Sequence, residues 1–171
     1  MSGGESQKVL WDNGLVDNHE LPCYKTTMRL TTAKAIGSRL KRFCKSKASY
    51  AILDKSKGSG GTWTAGGCLI LAKAVYENLK AEGFHNAKIK ILHGNGSPQH
   101  ALVSVCLDDM EEVYLDADGF STKEELFERW QNDECVAQPI RVRFLPYFPD
   151  CMPQPGVEQF RLLKEIARCI T

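Results

Sequence analysis

Apolar side chains change their period midway along the chain, from about 3.6 residues to 2, and that switch predicts helices followed by an antiparallel sheet. Ile36, Leu40, Phe43 and Cys44 recur at helical spacing while Arg39, Lys41, Arg42 and Lys45 fall mostly elsewhere, so a helix is expected near 32–46. Tyr50 to Leu53 reads as a short strand. Lys55 to Thr62 holds no apolar residue, and its glycines and serines mark a surface loop. After Cys68 the run LILAKAVYENLKAEG is apolar on several sides and ends at Gly83, the pattern of a core helix with a stop signal.

In the second half, Lys88–Ile91, Ala101–Leu107, Val113–Ala117 and Ile140–Phe144 alternate apolar and polar, as strands of an antiparallel sheet with one wet face do. Ser121 and Glu124 have the spacing of a capping box for a helix carrying Leu126, Phe127 and Trp130. A last helix near 157–169 places Phe160, Leu163, Ile166, Ala167 and Ile170 inward. Residues 1–28 read as an irregular arm. With no internal repeat and no boundary signal, the expectation is one α+β domain over 1–171.

Composition changes this picture little. Apolar residues at 43% and charged residues at 25% are ordinary for a globular chain, and 171 residues can bury a core without staples. A net charge of +1 gives no general attraction to nucleic acid or an anionic membrane. The start lacks a basic segment followed by an apolar one, and no window approaches the roughly 18 apolar residues of a span, so a cytoplasmic protein without signal peptide or membrane anchor is expected. Delivery into another cell as an effector stays compatible with that. Seven scattered cysteines (23, 44, 68, 106, 135, 151 and 169) contain no C-x-x-C pair, which points to reduced thiols rather than a disulfide framework or a zinc knuckle.

One thiol stands apart chemically. Cys68 follows Gly66 and Gly67 and opens the long helix, where unpaired N–H groups and the positive end of the helix dipole favour thiolate. The glycines allow a substrate backbone close approach, and the Cys68 N–H is placed to donate to an oxyanion. Of the four histidines, His100 is best placed as the base, since it begins a strand and shares one face with Leu102, Ser104 and Cys106. On the next strand Tyr114, Asp116 and Asp118 share a face. A hairpin centred near Asp108 sets residue 100 opposite residue 116, with Cβ atoms about 4.5–5.5 Å apart, so that Asp116 orients and stabilises the imidazolium. A centre one residue later makes Asp118 the competitor.

Cysteine, histidine and aspartate in that order, carried by WTAGGCLILAKAV, QHALVSV and VYLDADG, resemble the papain-like cysteine enzyme superfamily, which includes transglutaminase-like proteins, arylamine N-acetyltransferases and bacterial effector proteases. The resemblance covers roughly residues 60–130. It implies a papain-like fold, with N-terminal helices and a nucleophile at a helix start packed on a small antiparallel sheet that carries the histidine and the acid. It also implies a Cys68, His100, Asp116 triad acting through a thioester. Papain-like proteases usually hold a glutamine a few residues before the cysteine, but no Asn or Gln lies between Tyr24 and Gly67, so Thr62, Trp63 or a backbone amide must substitute.

The expected activity is a cysteine hydrolase on a protein, peptide or small amide or ester, with transglutaminase-like or acyl transfer on the same triad as the alternative and a non-catalytic binding module as a third. Trp63, Gly66, Gly67, Gln99 and Asp118 are the binding candidates, Trp63 either as a groove wall or as a lid on the core. No cofactor is implied. Zinc ligation by the three triad side chains lacks a fourth ligand at suitable spacing. The glycine runs at 58–61 and 94–96 match no phosphate-loop pattern and read as mobile loops flanking a cleft. The basic cluster Arg39, Lys41, Arg42, Lys45 and Lys47 reads as a solvated helix face, with docking of an acidic partner or nucleic acid as the competing account.

Overall fold

The computed structural model of the chain describes residues 27–57, 61–64, 66–94, 97–133, 141–144 and 157–171. Most of the expected N-terminal arm, the centres of both glycine-rich loops and the first residue of the strand expected at Ile140 lie outside these residues. The architecture is α+β. Three helices come first: α1 (Leu30–Cys44), α2 (Lys47–Lys57) and α3 (Cys68–Ala81). The strands β1 (Lys88–Gly94), β2 (Ser97–Cys106), β3 (Glu112–Asp116) and β4 (Gly119–Ser121) follow, then α4 (Lys123–Asp133), β5 (Arg141–Phe144) and α5 (Val157–Ile170). The sheet has the order β4-β3-β2-β1-β5, and every neighbouring pair is antiparallel.

Helix α1 buries Ala33, Ile36, Gly37, Leu40 and Cys44, the stripe that three-to-four spacing dictates. Arg39 of the basic cluster turns inward and donates to the carbonyls of Cys169 and Ile170 at 2.6 and 3.3 Å, closing the C-terminus of α5, whereas Lys41, Arg42, Lys45 and Lys47 are exposed. Helix α3 buries Leu71, Ala72, Ala74, Val75 and Leu79. It ends in a Schellman turn: Gly83 takes φ 88°, and the N–H groups of Gly83 and Phe84 donate to the carbonyls of Lys80 and Leu79.

Three expectations change. The short strand at Tyr50–Leu53 is part of α2, because Ser49, Ile52 and Leu53 are buried at helical spacing and an apolar run of four residues has no decisive period of its own. Met28, assigned to the irregular arm, is fully buried and bridges to Leu107. The capping box is one residue later than expected: Thr122 N–H donates to Glu125 Oε2 at 2.9 Å and Glu125 N–H to Thr122 Oγ1 at 3.2 Å.

Nor does the sheet have a plainly wet second face. One face, with Ile89, Ala101, Val103, Val105, Val113 and Leu115, joins α1, α3 and α5 in the main core. The other carries Leu92, Leu102 and Tyr114, and α4 covers them with Leu126 and Trp130. His100 and Asp116 fall on this second face by strand alternation, under α4. Helix α1 crosses β4 so closely that a Cβ on Gly37 would sit 2.4 Å from the Phe120 backbone nitrogen.

Candidate active site

The position of Cys68 is built by a turn. Thr62 and Gly66 form an isolated bridge, and Gly67 N–H donates to the Thr62 carbonyl at 3.0 Å. Gly66 is exposed at φ 87°. Gly67 is buried, and a Cβ there would lie 2.7 Å from Leu53 Cδ1 and 2.9 Å from the Thr62 carbonyl oxygen, so only glycine lets the chain enter α3 at this angle. Gly67 is the N-cap of α3, and no side chain caps that end, which leaves first-turn amides and the positive helix dipole directed at the half-buried Cys68.

Trp63 is not a groove wall. It is 2% exposed, lies in the main core beside Phe43, and donates its indole N–H to Ser49 Oγ at 3.2 Å. The buried hydroxyl of Ser49 supplies the partner that a buried indole needs, and in turn donates to backbone carbonyls of Cys44 and Ser46.

His100 and Asp116 meet by a different register from the one the hairpin count gave. Val103 pairs with Leu115, Ser104 with Tyr114, Val105 with Val113 and Cys106 with Glu112. The hairpin therefore centres on Asp109, with Leu107 N–H bonded to the Glu111 carbonyl and Met110 at φ 70°. Extended onward, this register puts Asp116 opposite Leu102, diagonal to His100. Asp118 would then face His100, but β3 stops at Asp116 and turns back through Gly119, at φ 104°, into β4. The turn takes Asp118 off the strand, and its backbone N–H donates to Asp116 Oδ1 at 2.8 Å. A diagonal pair is within reach of an imidazole, and His100 Nε2 lies 3.1 Å from Asp116 Oδ2.

A second irregularity aims the histidine. The β1–β2 ladder pairs Leu92 with His100 but His93 with Pro98, so Gln99 is an unpaired extra residue immediately before His100. Such bulges bend a strand and redirect its neighbours. The side chain of Gln99 lies outside what the structure describes.

The electrostatics of the three residues are coupled. Burial alone would depress His100, but the hydrogen bond to Asp116 and the proximity of Cys68 outweigh it and raise its pKa to about 9. Burial likewise acts to raise the Cys68 thiol, yet interaction with His100, helped by the Ala101 and Leu69 amides, holds it below its ordinary value. Burial would raise Asp116 too, and the His100 hydrogen bond with the Arg129 charge keeps it ionised below the usual carboxylate range. Nδ1, the ring nitrogen not committed to Asp116, is buried without an aligned hydrogen-bond partner among the described residues. Cys68 thus interacts with the imidazole without a strict hydrogen bond in the resting geometry, a common state before substrate binds.

Sequence reasoning missed two neighbours, both on α4. Arg129 Nη2 donates to Asp116 Oδ2 at 2.8 Å and Nη1 to Ser121 Oγ at 3.3 Å. Trp130, expected only as an inward apolar residue, lays its ring over His100 with centroids 4.9 Å apart. The sole signal was their place on a helix following the acid. Asp118 and Arg129 also line a cleft of about 620 Å³ between α1 and β4, shared with Lys34, Lys41, Phe120 and Glu125. Among the described residues no group of three or more His, Cys, Asp or Glu is arranged to hold a metal ion, and no helix is long and apolar enough to cross a membrane. Neither a family model, nor a curated protein, nor a solved structure matches the chain.

Proposed function

We propose that the chain is a cysteine hydrolase of papain-like type, acting on an amide or ester carbonyl of a peptide, protein or small molecule. One observation carries the reading: His100 is held at Nε2 by Asp116, while its remaining nitrogen is buried without an aligned partner among the described residues and interacts with a thiol at a helix N-terminus. A buried polar atom left without a fixed partner costs stability, and a proton shuttle is a reason to keep one.

In this mechanism the Cys68 thiolate attacks the carbonyl carbon, and the π electrons move to oxygen. First-turn amides of α3 bind that oxyanion. As the tetrahedral species collapses, the bond to the leaving group breaks, and the His100 imidazolium gives its proton to the departing amine or alkoxide. This leaves a thioester on Cys68 and neutral His100. Water then gives a proton to His100 and attacks the thioester; collapse releases the acid and restores thiolate and imidazolium. An amine in place of water yields transfer on the same machinery.

The test combines an electrophile with a variant. Iodoacetamide labelling across pH, followed by peptide mapping, should find Cys68 reactive below pH 7 while Cys106 is not. Against a panel of chromogenic peptide amides and esters, Cys68→Ala should lose turnover by a factor on the order of 10³ or more. Turnover that survives Cys68→Ala, or a Cys68 no more reactive than Cys106, would remove the proposal and favour a binding module.

A further inference from the structure

The acid of the site has a second cationic partner that a three-residue account leaves unused. His100 Nε2 and Arg129 Nη2 share one oxygen, Asp116 Oδ2, at 3.1 and 2.8 Å, while Oδ1 accepts the Asp118 N–H at 2.8 Å. The carboxylate is 4% exposed and cannot turn without breaking one of these bonds. Arg129 is anchored in turn by Ser121 on β4, and its Nε is buried without a partner among the described residues, so the guanidinium is held here at a cost in stability. The next residue of α4, Trp130, is 6% exposed and packs on the His100 ring. One helix therefore grips both the base and its acid.

We propose that Arg129 is a positioning residue of the site: it fixes the Asp116 carboxylate against His100 and completes an alternating chain of thiolate, imidazolium, carboxylate and guanidinium whose charges sum to zero. The assignment rests on Cys68 and His100 being nucleophile and base. Around this chain the other titratable groups among the described residues include Asp118 in the turn after β3, Cys44 of α1 and Tyr114 of β3, the last two kept neutral by burial, with Lys34 and Lys41 of α1 and Glu125 of α4 along the cleft that Arg129 lines. Without the guanidinium, the thiolate, imidazolium and carboxylate together carry a net negative charge in a buried place, and the carboxylate is free to swing. Both effects favour the protonated thiol: losing a cation raises the first ionisation of the Cys68 and His100 pair, and a loosened Asp116 weakens the imidazolium that holds the thiolate.

The experiment measures the pH dependence of iodoacetamide alkylation at Cys68, with kcat and KM on any substrate found, in wild type, Arg129→Met and Arg129→Lys. The Met variant should shift the acid-side midpoint of alkylation upward by about 0.5–1 pH unit, less than the roughly 1–3 of an adjacent opposite charge because Arg129 acts through Asp116 and His100. Its kcat should fall at least about tenfold with little change in KM, and the Lys variant, which keeps the charge but not the fork, should recover part of both. A lower melting temperature with the alkylation midpoint unmoved would reduce Arg129 to a structural ion pair and overturn the assignment. Should the Met variant not fold, Arg129→Gln is measured the same way and the same two outcomes decide. A wild-type Cys68 with no thiolate below pH 7 is a separate result, which removes the enzymatic reading and this assignment with it; a reactive wild type with an unshifted variant removes this assignment alone.

Discussion

Asp116→Asn is the sharpest probe of the site, because it changes the carboxylate to an amide of nearly equal shape. Holding His100 at about 9 instead of its ordinary 6.5 represents roughly 3 kcal/mol of preference for the imidazolium. Burial opposes that preference, and Asp116 is the foremost group supplying it. Removing one adjacent charge should lower the midpoint by roughly 1–3 pH units. Imidazole NMR titration reads this directly, with the His100 signal identified among four histidines by its loss in His100→Gln. Turnover should fall by a factor on the order of 10²–10⁴, as expected when a triad acid becomes an amide. Stability should fall as well, by less than the roughly 3–5 kcal/mol of a fully buried broken pair, because Arg129 keeps 22% of its side chain in water. The sign with pH follows from the raised ionisation of His100: its stabilisation is fully present below about 6.5 and is lost as pH rises through about 9, so the stability gap between wild type and variant narrows over that interval. A His100 midpoint that stays near 9 in the Asn variant would show that something other than Asp116 holds the imidazolium, and the electrostatic account would fail.

Two further outcomes test the scaffold that carries the site. Gly37→Ala forces a Cβ to within 2.4 Å of the Phe120 backbone; chemical denaturation should show a loss of about 1–3 kcal/mol or more, and an unchanged midpoint would mean that α1 and β4 do not pack this closely. Thr122→Ala removes the side-chain half of the capping box and should cost about 1 kcal/mol by the same assay, whereas Ser121→Ala being the costlier of the two through lost capping would restore the register expected from sequence.

How much of this was legible along the chain depends on the range of the interaction involved. Helix α1, helix α3 and its stop at Gly83, and four of the strands follow from local periodicity, since the spacing of Ile36, Leu40 and Cys44 or the alternation in Ala101–Leu107 requires no knowledge of a partner. Cys68 at a helix start, and His100 on a strand ahead of an acid, were readable for the same reason. Local rules gave ambiguous answers where two readings fit equally. Ser121-Thr-Lys-Glu-Glu125 contains the capping spacing twice, and the competition was decided when β4 kept Ser121 and its hydroxyl accepted a hydrogen bond from Arg129.

The amino-acid sequence by itself determined α1, α3, α4 and α5 and four of the strands, the order of Cys68, His100 and Asp116, and the faces on which the last two lie, while α2 read as a strand and β4 went unread. Tertiary structure alone decided which carboxylate meets His100: a hairpin centred on Asp109 argued for Asp118, and the turn at Gly119 left Asp116 in contact instead. It also decided that Trp63 belongs to the core and that Arg129 and Trp130 belong to the site. The physical reason is that periodicity is fixed by bonds between neighbours, whereas a buried carboxylate is satisfied by whatever donors the packing of α4 against the sheet delivers, and those donors are chosen by the whole fold.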